Sequence, residues 1–190
     1  MKVHHITPLT KDKNFGKAIN DIVRHLPDED WICLRDYDTI PMTPIKDYIE
    51  IIDSILNDPK NEQYGVIGAM TNRQGLSWLC HDGRISDEAD INKHLEIGRW
   101  RRDKHGSEVI LSHGNSGVAG TFMLFRKKTW KEVGGFKEGG ICIDGKMLDY
   151  IFCMDVKLTG KRMGVATGLY IFHLYRWGTI NPMSKTNHLL

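Results

Sequence analysis

Apolar residues recur along the chain with two alternating periods. Short runs of β-forming residues at 3–6, 31–34, 64–71 and 165–172 predict strands. Helical spacing at 15–26 and 45–56 predicts helices, the second with Thr43 as its N-cap and Pro44 in its first turn. This alternation predicts an α/β fold, with a mixed, mostly parallel sheet flanked by helices in a single compact domain. The predicted buried stripe of the second helix is Ile45, Tyr48, Ile49, Ile52 and Leu56.

Between residues 72 and 117 neither period continues. Glycines at 75, 83, 98, 106 and 114 interrupt this segment, and only 91–100 has a helical pattern. Structureless loops of this length are uncommon, so we interpret the segment as a functional insertion. It separates a half at 1–71 from a half at 118–177, and a tail at 178–190 follows. The second half opens with a predicted strand at 117–126 and continues with helices at 129–133 and 148–160.

Composition is that of a soluble globular protein, with 41% hydrophobic and 26% charged residues. No apolar run approaches the roughly 20 residues that span a bilayer, and the N-terminus lacks the apolar stretch of a signal peptide, so we expect no membrane span and a cytoplasmic protein. The 26 basic residues nearly balance the 24 acidic ones, which gives no argument for nucleic acid. Four cysteines form no Cys-x-x-Cys pair, and three of them, in apolar surroundings, are predicted to be buried.

Local charge is less even within the insertion. Seven basic residues at 93–105 allow two interpretations, a solvated charged face or a surface that meets an anionic acceptor. They are Lys93, His94, Arg99, Arg101, Arg102, Lys104 and His105.

Two carboxylates follow the strand at 31–34 directly. Asp36 and Asp38 are separated by one residue, so on an extended chain they point the same way and offer hard oxygen ligands to one divalent cation. The alternative is a turn with solvated aspartates. The position after a buried strand favours a site, since α/β sheets bind ligands outside the carboxyl ends of their strands.

Further motifs follow in a recognisable order. The strand at 120–126 is followed by Trp130 and by Val-Gly-Gly-Phe at 133–136, Asp149 stands eleven residues before Gly160, and the last strand leads into His173. With the Asp-x-Asp, this order resembles glycosyltransferases of the Rossmann-like GT-A fold, in particular the inverting family-2 type. The resemblance covers roughly residues 14–177.

The resemblance implies a set of roles. Asp36 and Asp38, completed by His173, would bind Mn²⁺ or Mg²⁺ against the diphosphate of a nucleotide sugar, with a UDP-sugar as the expected donor. Asp149 would be the general base, although aspartate at a helix start is also a common cap, and a histidine after a buried strand is often structural. Contacts to the donor are implied for Thr7, Pro8, Asn14, Lys17, Arg35, Asp36, Tyr37, Gly120, Arg176 and Trp177.

The chain departs from the family pattern in three respects. The Asp-x-Asp lies early in the chain, which implies a reduced pocket for the nucleotide base that a second copy in a homo-oligomer would be able to complete. Leu148 stands where the family commonly has glutamate, and the glutamine-containing arginine–tryptophan motif of processive synthases is absent, so a polymerising synthase is not expected.

The resemblance therefore implies a metal-dependent, hexosyltransferase-like enzyme that inverts the configuration of the reacting sugar carbon. The acceptor would be a glycan, a protein, a small molecule or a modified nucleic-acid base. Two alternatives remain open. A nucleotidyltransferase also uses acids at strand ends, but the first strand is not followed by a glycine-rich phosphate loop. A sugar-nucleotide-binding module that has lost activity would fit the shortened first half and Leu148.

Overall fold

The computed structural model describes residues 2–174 of the 190-residue chain. Strands in this range are Val3–Ile6 (β1), Trp31–Leu34 (β2), Thr39–Pro41 (β3), Tyr64–Thr71 (β4), Val109–Leu111 (β5), Met123–Arg126 (β6), Cys142–Ile143 (β7), Lys146–Met147 (β8) and Arg162–His173 (β9). Helices are Phe15–Arg24 (α1), Ile45–Asn57 (α2), Ile91–His105 (α3), Lys127–Glu132 (α4) and Leu148–Leu158 (α5). The prediction of an α/β fold with a mixed sheet flanked by helices is confirmed.

Contacts between residues divide the described chain into two compact units. The first unit comprises residues 2–37, 62–68 and 111–164, and the second comprises residues 38–61, 69–110 and 165–174. Each unit is therefore assembled from three separate stretches of sequence.

The sheet of the first unit is built around β2. This strand pairs in parallel with β1 and antiparallel with β6, and β6 pairs antiparallel with β4. Consequently β1, β2 and β4 run in the same direction. All four residues of β2 are buried, as expected for a strand covered on both faces. Because β1 and β2 are parallel, their following residues leave the sheet at one edge, where the Arg35 N–H donates to the Ile6 carbonyl at 3.0 Å.

One buried side chain of α1 holds the segment that follows α4. The Asn20 amide group donates to the Phe136 carbonyl at 2.8 Å, and its oxygen accepts from the Phe136 N–H at 2.8 Å and the Trp130 indole N–H at 2.9 Å. Gly135 adopts φ +88°, and a Cβ there would lie 2.7 Å from the Asn20 oxygen. The Phe136 ring stacks on Phe152 of α5 at 4.0 Å. The Val-Gly-Gly-Phe motif thus joins α1 to α5.

Replacing Asn20 with alanine is expected to lower the free energy of unfolding by about 3 kcal/mol, because each buried group left without its hydrogen-bond partner costs about 1–3 kcal/mol. Equilibrium unfolding in denaturant measures the loss. Asn57→Ala is the matched control, because Asn57 is exposed and its amide donates to a single backbone carbonyl. Similar losses in the two variants would contradict the anchoring of the segment by Asn20.

In the second unit, α3 buries polar residues, and this explains the weak apolar pattern of the insertion. Its buried residues are His94, Gly98 and Arg101. The His94 Nε2–H donates to the Glu88 carbonyl at 2.8 Å, which leaves Nδ1 to accept from the Tyr170 hydroxyl at 2.9 Å. Burial lowers the pKa of His94, in keeping with this neutral ring.

The packing of α3 also depends on a glycine that lies against the backbone of another segment and on a buried arginine. A Cβ at Gly98 would lie 2.3 Å from the Met42 carbonyl oxygen, so only glycine fits there. The Arg101 guanidinium donates to the Thr167 carbonyl at 3.0 Å and to the His81 ring at 3.2 Å. The segment predicted to be an irregular insertion therefore contains a helix of 15 residues whose buried face is polar.

The predicted basic surface of the insertion is wrong for two of its seven members. His94 and Arg101 are buried, because they bind groups of β9 and its neighbours. Arg102 pairs with Asp47 and Asp103, and Lys93 pairs with Glu88, so these two cations have carboxylate partners within the unit. Arg99 and Lys104 are exposed, and the Lys104 ammonium lies 4.5 Å from the ring centroid of Trp100.

Two predictions for α2 are also wrong. Ile45 and Ile49 are 70% and 52% exposed, because the buried face is rotated toward Tyr48, Ile51, Ile52, Ile55 and Leu56. Thr43 does not cap the helix. The N-cap position is Pro44, and the Thr43 hydroxyl instead accepts a hydrogen bond from the Tyr170 N–H of β9 at 3.1 Å.

Cysteine burial follows the prediction. Cys33, Cys80 and Cys153 are buried thiols, and Cys142 is exposed. Within residues 2–174, none of the helices combines the length and the apolar character that a membrane span requires.

Candidate active site

The loop after β2 presents two shielded carboxylates on either side of an exposed ring. Asp36 is half-buried and Asp38 is only 7% exposed, whereas the Tyr37 side chain between them is 62% exposed. Tyr37 and Asp38 lie in a turn, so the predicted extended conformation is wrong here, although both carboxylates are shielded. Asp36 belongs to the first unit and Asp38 opens the second, directly before β3.

Strand pairing in the second unit brings Asp38 to His173. Thr39 of β3 lies opposite His173 of β9, and the Leu174 N–H donates to the Asp38 carbonyl at 2.9 Å. The His173 Nε2 atom consequently lies 3.4 Å from Asp38 Oδ2. Both side chains are buried, with Asp38 7% and His173 8% exposed.

The residues that follow β4 fix the histidine. The Asn72 side-chain amide forms the two hydrogen bonds that the backbone of a neighbouring strand would form with His173. Its oxygen accepts from the His173 N–H at 2.8 Å, and its NH₂ donates to the His173 carbonyl at 3.3 Å. The His173 Nδ1 atom lies 2.7 Å from the Arg73 carbonyl, which can only accept, so Nδ1 carries a proton. In the neutral ring the lone pair is then on Nε2, the atom that faces Asp38. A carbonyl partner of this kind is typical of metal-binding histidines.

Together these side chains form a donor set suited to a divalent cation. Asp38 and His173 of the second unit supply a buried carboxylate and a buried imidazole, whose Oδ2 and Nε2 atoms lie 3.4 Å apart. A neutral ring would place a lone pair on Nε2 opposite Asp38 Oδ2, whereas a protonated ring would place an N–H there. A carboxylate with an imidazole suits Mn²⁺ better than Mg²⁺, which prefers oxygen ligands alone.

In the first unit, Asp149 lies close to Asp36 through Gly120. The Gly120 N–H donates to Asp149 Oδ2 at 2.6 Å. A Cβ at Gly120 would lie 3.5 Å from Asp149 Oδ2 and 3.5 Å from Asp36 Oδ1, so the two carboxylates cannot be further apart than the sum of these distances. The absence of a side chain at residue 120 keeps the space between them open.

Asp149 lies in the first turn of α5 and not at its N-cap position. The N-cap of α5 is Met147, and Asp149 Oδ1 accepts from the Tyr150 N–H at 2.7 Å. Burial raises the pKa of Asp149, and the hydrogen bond from Gly120 opposes this rise. A carboxylate with a raised pKa binds a proton more strongly, as general base catalysis requires.

Some of the other residues predicted to contact the donor lie near Asp36, whereas Asn14 lies at the start of α1. Thr7 and Pro8 follow β1 and Arg35 follows β2, so all three leave the sheet at the edge that carries Asp36. Asn14 is the N-cap of α1, where its oxygen accepts from the Lys17 N–H at 3.0 Å and from the Gly139 N–H at 2.7 Å.

The Lys17 ammonium pairs with Asp21 on the same helix. The predicted contacts Arg176 and Trp177 lie outside the described residues.

Sequence reasoning missed Asn72, although it contacts the backbone of a predicted ligand. Its position directly after a buried strand was the available signal, but an asparagine there is equally typical of a turn. Only the pairing of Asn72 with His173 identifies its contribution.

Comparison with known proteins does not add to this description: neither a protein-family model nor a curated protein matches the chain.

Proposed function

We propose that this protein is a glycosyltransferase of the GT-A type, which transfers a sugar from a nucleotide-sugar donor to an acceptor hydroxyl with inversion. The observation that carries the proposal is the convergence of Asp149 and Asp36 on the side-chain-free position Gly120. It places Asp149, the expected base, near Asp36, which is one of the predicted metal ligands. The resemblance of the motifs to inverting glycosyltransferases supports the same reaction.

Asp36, Asp38 and His173 would hold the divalent cation, with Mn²⁺ favoured by the imidazole ligand. A bound divalent cation offsets the negative charge that develops on the leaving diphosphate. The Arg73 carbonyl and the Asn72 side chain keep the His173 ring and backbone in position for this purpose.

Asp149 would take the proton of the acceptor hydroxyl. As the acceptor oxygen forms its bond to the sugar carbon, the bond from that carbon to the diphosphate oxygen breaks, and the nucleoside diphosphate leaves with the electron pair. The acceptor proton ends on an oxygen of Asp149. Attack on the side opposite the leaving group inverts the configuration at the sugar carbon.

A panel of nucleotide sugars tests the proposal. The protein is incubated with each sugar and with Mn²⁺ or EDTA, and thermal unfolding and released products are measured. A donor present at a hundredfold excess over its Kd stabilises the folded protein by about 2.7 kcal/mol, so a UDP-sugar that binds with Mn²⁺ should raise the unfolding temperature visibly.

The products separate the possible functions. Free nucleoside diphosphate, formed with an acceptor from a glycan, protein, small-molecule or nucleic-acid library, is the expected result. Pyrophosphate release would instead identify a nucleotidyltransferase. Metal-dependent binding without any turnover would identify a binding module, and the absence of binding by every nucleotide would reject the proposal.

A further inference from the structure

Three exposed apolar side chains lie around the start of α5, next to Asp149. Ile141 is 53% exposed, Met147 is 47% exposed and Tyr150 is 46% exposed. The Leu148 N–H donates to the Ile141 carbonyl at 2.9 Å, so the hairpin of β7 and β8 returns Ile141 to the first residue of the helix. Single exposed apolar residues are common on proteins, but a group of them is typical of a binding surface.

The Tyr150 ring and the Asp149 carboxylate lie against the same loop of the first unit. A Cβ at Gly117 would lie 3.9 Å from Tyr150 Cδ2. Three residues further along this loop, a Cβ at Gly120 would lie 3.5 Å from Asp149 Oδ2. Neighbouring Cα atoms are about 3.8 Å apart, so a ligand the size of one sugar ring is able to contact both side chains.

Asp149 keeps the capacity to bind an acceptor hydroxyl. Its Oδ2 accepts from the Gly120 N–H and its Oδ1 accepts from the Tyr150 N–H, which leaves a second lone pair on each oxygen. A general base must lie within hydrogen-bond distance of the proton that it takes. The acceptor consequently lies on the surface that surrounds Asp149, and Tyr150 belongs to that surface.

The charge of this surface disfavours an anionic acceptor. Two carboxylates lie next to Gly120, and they repel a third negative charge. Lys146 is opposite Ile143 in the hairpin, so it lies on the other face from Met147. The basic residues at 93–105 all belong to the second unit. The first unit therefore offers a neutral ligand an apolar surface next to a proton acceptor.

We propose that Tyr150 binds the ring of a neutral sugar acceptor, an inference that rests on the proposed function. A pyranose ring carries C–H groups on its faces and hydroxyl groups around its edge. One face is therefore able to pack on the apolar body of tyrosine while a hydroxyl at the edge reaches Asp149. Ile141 and Met147 extend the apolar surface for the group attached to this sugar.

Transfer to methyl pyranosides by the full-length protein tests the contribution of Tyr150. Methyl glucoside, galactoside and mannoside are compared with glycerol, which has hydroxyls but no ring, in the presence of Mn²⁺ and the nucleotide sugar that binds the wild type. Tyr150→Ala should lower kcat/KM for the pyranosides about tenfold or more, mainly through KM, because the aromatic surface is lost. Tyr150→Phe keeps this surface and should stay within about twofold of the wild type.

A matched control and a charged acceptor sharpen the comparison. Leu158→Ala removes an exposed apolar side chain from the last residue of α5 and should behave like the wild type. Glucose 6-phosphate should be a poorer acceptor than methyl glucoside, because its phosphate approaches the two carboxylates. Equal kcat/KM values for glycerol and for the pyranosides would contradict the binding of a sugar ring.

Transfer of the sugar to water separates acceptor binding from a structural contribution. This slow reaction releases nucleoside diphosphate without an acceptor, so Tyr150→Ala should keep both its rate and the Kd of the donor. Equilibrium unfolding in denaturant shows whether the variant is folded. Parallel loss of the water reaction, of donor binding and of transfer to pyranosides would show that Tyr150 is structural and would overturn the proposal.

The outcomes distinguish this inference from the proposed function. Wild-type kcat/KM values for the pyranosides in Tyr150→Ala, or transfer by the wild type only to peptides or nucleic acids, would reject the Tyr150 inference alone. Calorimetry with methyl glucoside supplies a readout that needs no donor. Tyr150-dependent binding of the glucoside without turnover of any nucleotide sugar would support the inference and reject the glycosyltransferase. A wild-type protein that neither binds a pyranoside nor turns over a nucleotide sugar would reject both.

Discussion

Asp149→Asn is expected to abolish sugar transfer and to leave donor binding intact. Asparagine keeps an oxygen that accepts from the Gly120 N–H, but it cannot take the proton of the acceptor hydroxyl. Loss of a general base typically lowers a rate by 10²–10⁴-fold, so kcat should fall by about a thousandfold. Initial rates of nucleoside diphosphate release give kcat, and calorimetry gives the Kd of the donor.

Folding stability supplies an internal check on the same variant. The pKa of Asp149 is raised in the folded protein by burial, so the folded state binds this proton more tightly than the unfolded state does. The carboxyl group therefore favours folding at low pH, and this contribution is lost as the pH rises through the raised pKa. At neutral pH the asparagine variant loses an unfavourable buried charge but keeps only one of the two backbone hydrogen bonds, so its equilibrium unfolding must be measured to exclude unfolding as the cause of lost activity.

Asp155→Asn, on the same helix α5, is the matched control and should keep both activity and donor affinity. Transfer by Asp149→Asn at a rate within twofold of the wild type would show that another group is the base. Parallel loss of donor binding and transfer would show that Asp149 contributes to the donor site instead.

The path from sequence to structure is direct where burial follows apolar periodicity. β2 was predicted because its residues Trp31–Leu34 are all apolar, and the same reasoning placed Asp36 and Asp38 after a sheet strand. Periodicity likewise predicted β4 and most of β9, which ends in His173. In these elements the local preference and the environment agree.

Periodicity was less informative for α3, and the reason is physical. The helix buries a histidine, a glycine and an arginine, whose partners are the Tyr170 hydroxyl, the Met42 carbonyl and the Thr167 carbonyl. Hydrogen bonds and close backbone approach, rather than apolar area, stabilise this face. Such partners come from distant positions in the sequence, so no pattern within the helix indicates them.

The same limit applies to parts of the candidate site. Asn72 binds the backbone of His173 across 101 residues of sequence, and Gly120 allows two carboxylates from distant segments to approach. Threonine is often found at helix caps, but the Thr43 hydroxyl instead accepts a hydrogen bond from the Tyr170 N–H. Residue type predicted the acids and the histidine, whereas the residues that position them depend on tertiary contacts.

Asp38→Asn is expected to remove metal-dependent donor binding. Asp38 is the buried carboxylate that faces the His173 Nε2 atom at 3.4 Å, and asparagine lacks the negative charge that a hard divalent cation requires. Loss of a residue that merely orients a metal ligand typically costs 10–100-fold in affinity, so loss of a ligand should weaken Mn²⁺ by about a hundredfold or more. The measurement is the Mn²⁺-dependent rise in unfolding temperature with UDP, together with the Kd of Mn²⁺.

A comparison in EDTA decides between a metal site and an ion pair that joins β3 to β9. If the Asp38 and His173 contact served only as an ion pair, Asp38→Asn would lose the same stability in EDTA as in Mn²⁺, and the Mn²⁺-dependent shift would be unchanged. A metal site predicts that wild type and variant diverge mainly in Mn²⁺, and that His173→Gln reproduces the effect. Asp53→Asn, an exposed carboxylate on α2 of the same unit, should behave like the wild type throughout, because it lies outside the donor set.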